Sequence, residues 1–284
     1  MKQHRSGWTR PLLALALALA ASAAPAAAQI TVAPLHVVTS DRARFQTFYV
    51  RNDTDEAQEI SIAFRFGYPV TDTLGNATML YGDSLALAPD HAMTEWVRAF
   101  PRQFLLRPGE RQSVRVAVRP PEGLADGVYW TRLVTTSTPQ LPPPEPSEEE
   151  VTTRFIFRIE QVTTVLFQRG AARVDVAVGN VRHWLDEGYV RFLIPLTCTG
   201  TAPFLGEIHL RVLDAAEAVV GEGSQTLSSY SDEHAAGFSI ERWNLPPGAY
   251  RAEIRVTNAR TDIPPPQRFT MTPVTVTVPF VIPD

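Results

Sequence analysis

Apolar and polar residues alternate one by one along much of this chain, which is the period of a β-strand with a single buried face. Ile60, Ile62, Phe64 and Phe66 alternate with Ser61, Ala63 and Arg65. The pattern returns at Val114-Val116-Val118, Ile208-Leu210-Val212, Ala252-Ile254-Val256 and Val274-Val276-Val278, each against charged or hydroxyl residues. One-sided alternation predicts antiparallel sheets rather than a parallel core covered on both faces. Pro108-Gly109 and Pro247-Gly248 suit the central positions of a type II turn, where proline fixes φ and glycine accepts φ > 0. Short strands between such turns predict a sandwich or barrel. Tyr81–His91 and Leu213–Ser228 lack the alternation and are expected to hold long loops or a helical turn.

Two segments echo each other. Gly127-Val128-Tyr129 and Gly248-Ala249-Tyr250 both place a tyrosine two residues after a glycine at a strand entry. In immunoglobulin-like sandwiches a tyrosine near the start of strand F ties the adjoining corner through its hydroxyl. The expected fold is therefore all-β, with two immunoglobulin-like antiparallel β-sandwich domains in tandem over residues 29–169 and 170–284. The boundary is placed at Gln168–Ala171, and the proline- and glutamate-rich stretch Pro142–Glu150 is read as a loop within the first domain. A cut at Pro142 would remove that domain's last strand, whereas a stiff charged loop between two strands of one sandwich costs little.

Lys2, Arg5 and Arg10 precede the apolar run Leu12–Ala24 and the small residues Ala26-Ala27-Ala28, the layout of a cleaved signal peptide over residues 1–28. An exported, periplasmic protein follows as the expectation. Removing those three basic residues leaves 23 basic against 30 acidic, a net charge of −7, so no overall basic footprint for nucleic acid is expected. With one cysteine, Cys198, the chain has no disulfide within itself and must rely on packing. None of the common nucleophile, phosphate-loop or metal-binding motifs is present, and no cofactor is expected. Asp232-Glu233-His234, with His183 and Asp186-Glu187, offers oxygen and nitrogen ligands, although a solvated loop explains the same residues. Trp96, Trp130, Trp184 and Trp243 could line a carbohydrate surface or pack in the core. Core packing explains most of them better; Trp130 follows the corner tyrosine, so alternation turns it to the opposite face, and it is the one tryptophan whose exposure is to be checked.

The segment Phe100–Val116 resembles the signature stretch of the periplasmic pilus-assembly chaperones, the PapD-like family, through Pro101, Leu106, Pro108-Gly109, Gln112 and Val114-Arg115-Val116. The opening strand Ile30–Val38, Val50-Arg51-Asn52 and Asp126–Trp130 add to the likeness, which covers about residues 30–168. The resemblance implies two sandwiches that hold an exported, pilin-like subunit by pairing a strand with it, a non-catalytic activity. It also implies a carboxylate grip by an arginine near the end of the first strand and a lysine in the last strand of the first domain. Here His36 and Val165 stand at those positions. A carboxylate contact would then fall to His36, Arg42, Arg44 or Arg169.

The client-pairing row implied by the resemblance is Phe155, Phe157 and Ile159, opposite Arg154, Ile156, Arg158 and Glu160. A one-residue shift exchanges the two faces. Facing inward, the row is core and the charged face is a poor donor; facing outward, it is a donor strand. The inward arrangement is the expectation, because the first domain otherwise loses three large core residues. Three functions follow: a chaperone-like binder of exported subunits, an envelope structural or adhesion module with no client, and a ligand-binding or catalytic sandwich. A monomer is the default.

Overall fold

The computed structural model describes residues 30–82, 89–140, 156–230 and 233–283. Residues 1–28, expected to be a signal peptide, and Pro142–Glu150, Phe155 and Asp232 lie outside the described residues.

The structure is all-β, with two β-sandwich domains. The first is built from β1 (Ile30–Ala33), β2 (His36–Ser40), β3 (Phe45–Asn52), β4 (Gln58–Arg65), β5 (Gly67–Thr71) and β6 (Ala77–Tyr81). It continues through β7 (Val97–Phe100), β8 (Gln103–Leu106), β9 (Arg111–Val118), β10 (Gly127–Pro139) and β11 (Ile159–Arg169). One sheet has the order β1-β3-β9-β7 and the other β2-β11-β10-β4-β8, so the opening segment crosses from one sheet to the other between β1 and β2. The inward residues of the alternating runs meet between the sheets: Phe48 and Val50, Ile60 and Ile62, Val114, Val116 and Val118, Val165 and Phe167 are all buried in one cluster. Phe66 departs from the alternation because β4 ends at Arg65, and its ring stacks on Trp130 at 5.7 Å instead. The Pro108-Gly109 turn is as the sequence requires, with Gly109 at φ 73° and the Glu110 amide donating to the Arg107 carbonyl at 3.0 Å. Pro247-Gly248 does not repeat it, since Gly248 is already the first residue of a strand.

The second sandwich holds β12 (Arg173–Val178), β13 (Arg182–Asp186), β14 (Tyr189–Gly200), β15 (Phe204–Leu213), β16 (Val219–Ser229), β17 (Glu233–Glu241), β18 (Gly248–Thr257), β19 (Thr270–Met271) and β20 (Val274–Ile282). One sheet is β16-β15-β18-β20; in the other, β14 carries β17 on one edge and β12 and β13 on the other. The long β16 replaces most of the irregular stretch expected at Leu213–Ser228, and residues 214–218 form the turn before it. Its inward positions include Gly221 and Gly223, where an added Cβ would stand 2.6 Å from Ile240 and 3.1 Å from Phe238. Side chains of the facing strand fill the space, so the hydrophobic half of the alternation is supplied by β17 and is invisible in β16 itself.

Both corner tyrosines act alike: Tyr129 donates to the Ala125 carbonyl at 2.9 Å and Tyr250 to that of Pro246 at 2.6 Å. The two halves are joined more tightly than a short connection between β11 and β12 would require. Val128, Trp130, Leu166 and Tyr68 of the first half are buried in the same cluster as the second core. The β5–β6 hairpin also reaches β17. The Ala235 amide donates to Thr71 Oγ1 at 2.9 Å, and a Cβ on Gly75 or on Gly237 would stand 2.5 Å from backbone atoms of the other segment.

Candidate functional site

Two features of β11 make it the centre of the candidate site. Along its whole length it pairs with β10, from Gly127↔Arg169 to Ser137↔Ile159. On its other edge, β2 covers only Thr164–Gln168, in parallel, and the Thr164 amide donates to the Leu35 carbonyl at 2.9 Å. Ile159–Thr163 thus has no strand on its outer edge among the described residues. Because backbone amides alternate in direction along a strand, the outward Thr164 amide places those of Val162 and Glu160 on the open edge as well. An unpaired edge of this kind is a template for another strand.

The closed end of that edge abuts a buried cationic cluster at the junction of the two sandwiches. Arg132 of β10, 3% exposed, donates from Nε to the Gly67 carbonyl at 2.9 Å and from Nη1 to Thr164 Oγ1 and, at 3.4 Å, to the Tyr230 hydroxyl. Its guanidinium lies 4.4 Å from the centre of the Tyr230 ring, and Nη2 is buried with no hydrogen-bond partner. Beside it Arg260 grips Asp262 through Nε at 2.8 Å and Nη2 at 2.5 Å, and His36 Nδ1 stands 3.4 Å from the same carboxylate. Burial, and then the Arg260 charge, push the His36 ring down to about 4 against the weaker opposing pull of Asp262. His36 is therefore neutral at pH 7, and two guanidinium ions against one carboxylate leave the cluster one positive charge in excess. A carboxylate would balance that charge, but Arg132 and Arg260 are both buried in this structure.

The solved structures that this chain resembles include the YadV chaperone, at 8% identity and a TM-score of 0.45 over 89% of this chain and all of that one. Others are a chain of the CsuC–CsuE chaperone–tip adhesion subunit pre-assembly complex from Acinetobacter baumannii (10%, 0.43, covering 88% and 98%) and one of the Salmonella enterica SafA pilin–SafB chaperone complex (11%, 0.43, 88% and 96%). No family model matches the chain, nor does any curated protein. With likenesses this distant, what the chain does must be read from its own residues.

The residues singled out by sequence separate into two places. His36 lies in the buried junction, whereas Arg44 and Arg169 share Asp41 at 3.2 and 3.9 Å near the opposite end of β2, and Arg42 beside them is exposed. The length of β2 sets them about 13 Å from His36 at 3.3 Å per residue. Val165 is fully buried in the first core and contributes nothing to the junction. Phe157 is 67% exposed and precedes β11, and Ile159 is half-buried, so the expected inward packing does not hold for Phe157. Arg132 and Arg260 were not singled out, although Arg132 is the one charged residue in Gly127–Pro139, a signal that a strand otherwise free of charge carries a paired or functional ion.

The remaining candidates fall elsewhere. Trp130, the tryptophan to be checked for exposure, is 3% exposed and packs on Tyr230 and His91 at 4.9 and 5.1 Å, because its face of β10 is covered by the second sandwich. Trp96 packs against Tyr129 and Phe167, while Trp243 is 79% exposed. Among the described residues no group of three His, Cys, Asp or Glu could hold a metal, and His234 is buried, which lowers its pKa.

Both depressed histidines have a consequence for stability. An unfolded histidine binds a proton near its ordinary value of 6.5, and folded His36 does so only near 4. The unfolded state therefore binds more protons over that window, and stability falls as pH drops from about 6.5 to 4. Urea midpoints measured across this range should decline, and His36→Gln should flatten the decline.

Proposed function

We propose that this protein is a periplasmic, non-catalytic, chaperone-like binder that holds an exported, pilin-like subunit by pairing a client strand with the open half of β11. The observation that carries the reading is the Ile159–Thr163 edge, which pairs with no strand among the described residues beyond the Gln161 side chain's bond to the Ile30 carbonyl and which runs directly into the Arg132 cluster. A client strand on that edge would satisfy the outward amides of Glu160 and Val162, and a client carboxylate would reach the unpartnered Nη2 of Arg132, buried in the unbound chain, once the strand opens the junction. Exposed Ile156 and Phe157, just upstream, offer apolar contact to the same strand. The resemblance of Phe100–Val116 to the PapD-like signature supports the same reading, as does the signal-peptide layout of residues 1–28. Arg132 takes the part that the family gives to its two cations, with His36 a neutral neighbour.

Val162→Pro tests it, because proline removes one outward amide without touching the bonds to β10. Purified wild-type chain incubated with periplasmic extract should retain a small β-rich subunit and slow hydrogen exchange at Glu160 and Val162. Val162→Pro should retain its melting temperature and lose the subunit. If both forms capture the same subunit equally, strand pairing at this edge is wrong.

A second reading, an envelope structural module without a client, is favoured by the filled junction in which Trp130, Tyr230 and Leu166 share one buried cluster. Failure of the wild-type chain to retain any subunit from an extract containing pilin-like proteins would select it.

A further inference from the structure

The outer face of the β1-β3-β9-β7 sheet is unlike the rest of this acidic chain. The register brings Thr31, Arg51 and Arg111 into one row, Ala33, Tyr49 and Ser113 into the next, then Thr47, Arg115 and Phe100, then Phe45, Ala117 and Arg98. All twelve are on the outward half of their strands' alternation, four are arginine, three are aromatic and none is acidic. The full chain carries a net charge of −4, so the concentration of positive charge here is local.

Arg51 is held by Asp53 at the end of the sheet. Arg98, Arg111 and Arg115 have no ion-pair partner among the described residues; Arg98 instead donates to the carbonyls of Glu95 and Val97. Arg111 lies 3.7 Å over the Tyr49 ring and Arg115 4.3 Å over Phe45, so the guanidinium groups rest on aromatic rings. Beyond them Phe100 is 79% exposed and Phe45 56% exposed.

We propose that this face docks the protein on the surface of an anionic lipid bilayer. Charge complementarity requires an anionic partner. The two phenylalanines choose among anionic partners, because a soluble acidic chain would engage the arginines and leave Phe45 and Phe100 in water. A bilayer interface accepts both, taking apolar rings into the acyl boundary while arginines stay at the headgroups. The attachment is peripheral, since no helix among the described residues is long and apolar enough to cross a membrane.

The test is co-sedimentation of the chain from Gln29 onward with phosphatidylglycerol-containing vesicles and with pure phosphatidylcholine vesicles. Binding is expected to the first only, to weaken at high salt, and to fall roughly tenfold or more in Arg98→Gln/Arg115→Gln. Phe45→Ser/Phe100→Ser should weaken it comparably with no loss of melting temperature, as both rings are largely exposed. Indifference to lipid charge overturns the proposal. So does unchanged vesicle binding in the Phe45→Ser/Phe100→Ser protein, and so does preferential binding of polyglutamate or an oligonucleotide that leaves vesicle binding at the phosphatidylcholine level.

Discussion

Phe167→Ala is expected to destabilise the first sandwich by about 3–5 kcal/mol, the usual cost of emptying a buried aromatic site. Phe157→Asp should change stability by less than about 0.5 kcal/mol. The two residues have the same parity along one segment, so alternation alone would assign them the same fate. Phe167 is fully buried, meets Trp96 edge-on at 6.3 Å and lies where β11 is flanked by both β10 and β2. Phe157 comes before β11 has begun. Denaturant unfolding of both variants checks the contrast, and a large loss in Phe157→Asp would return that ring to the core and remove it from the client-facing edge.

Arg132→Met should cost about 2–5 kcal/mol, set by the two buried acceptors it leaves without a donor. The side chain of methionine fills part of the space, but the Gly67 carbonyl and the Thr164 hydroxyl lose their donor at a site closed to water, each worth about 1–3 kcal/mol. Arg132→Met should also abolish client retention at temperatures where the chain is still folded. Thermal melting and subunit capture, measured together, distinguish these effects: a variant that melts early yet still captures the subunit would confine Arg132 to a structural role.

Much of the architecture was legible because the sandwiches are built from strands with one wet face. Ile60, Ile62, Val114, Val116, Ile254 and Val256 all point where their alternation says, and both corner tyrosines are found where a glycine two residues upstream marks them. The sequence misleads where packing is shared between partners. β16 reads as a loop because its inward volume is occupied by Ile240 and Phe238 of another strand. The burial of Trp130 cannot be read from alternation, because its outer face is covered by a sandwich whose position no local pattern records. The candidate site was legible in kind and not in detail: the edge strand and His36 could be located by resemblance, but the buried arginines beside them could not. Arg132 reaches the junction only because β10 is covered on both faces, and Arg260 because a loop about a hundred residues beyond β11 folds back over β2.

The docking of Gly75 on Gly237 gives the two sandwiches a second point of attachment, distant in sequence from the short connection after Arg169. Together with the buried cluster that Tyr68, Val128, Trp130 and Leu166 share with the second core, that attachment joins the halves over an area and not at a point, so neither sandwich should come apart without disturbing the other.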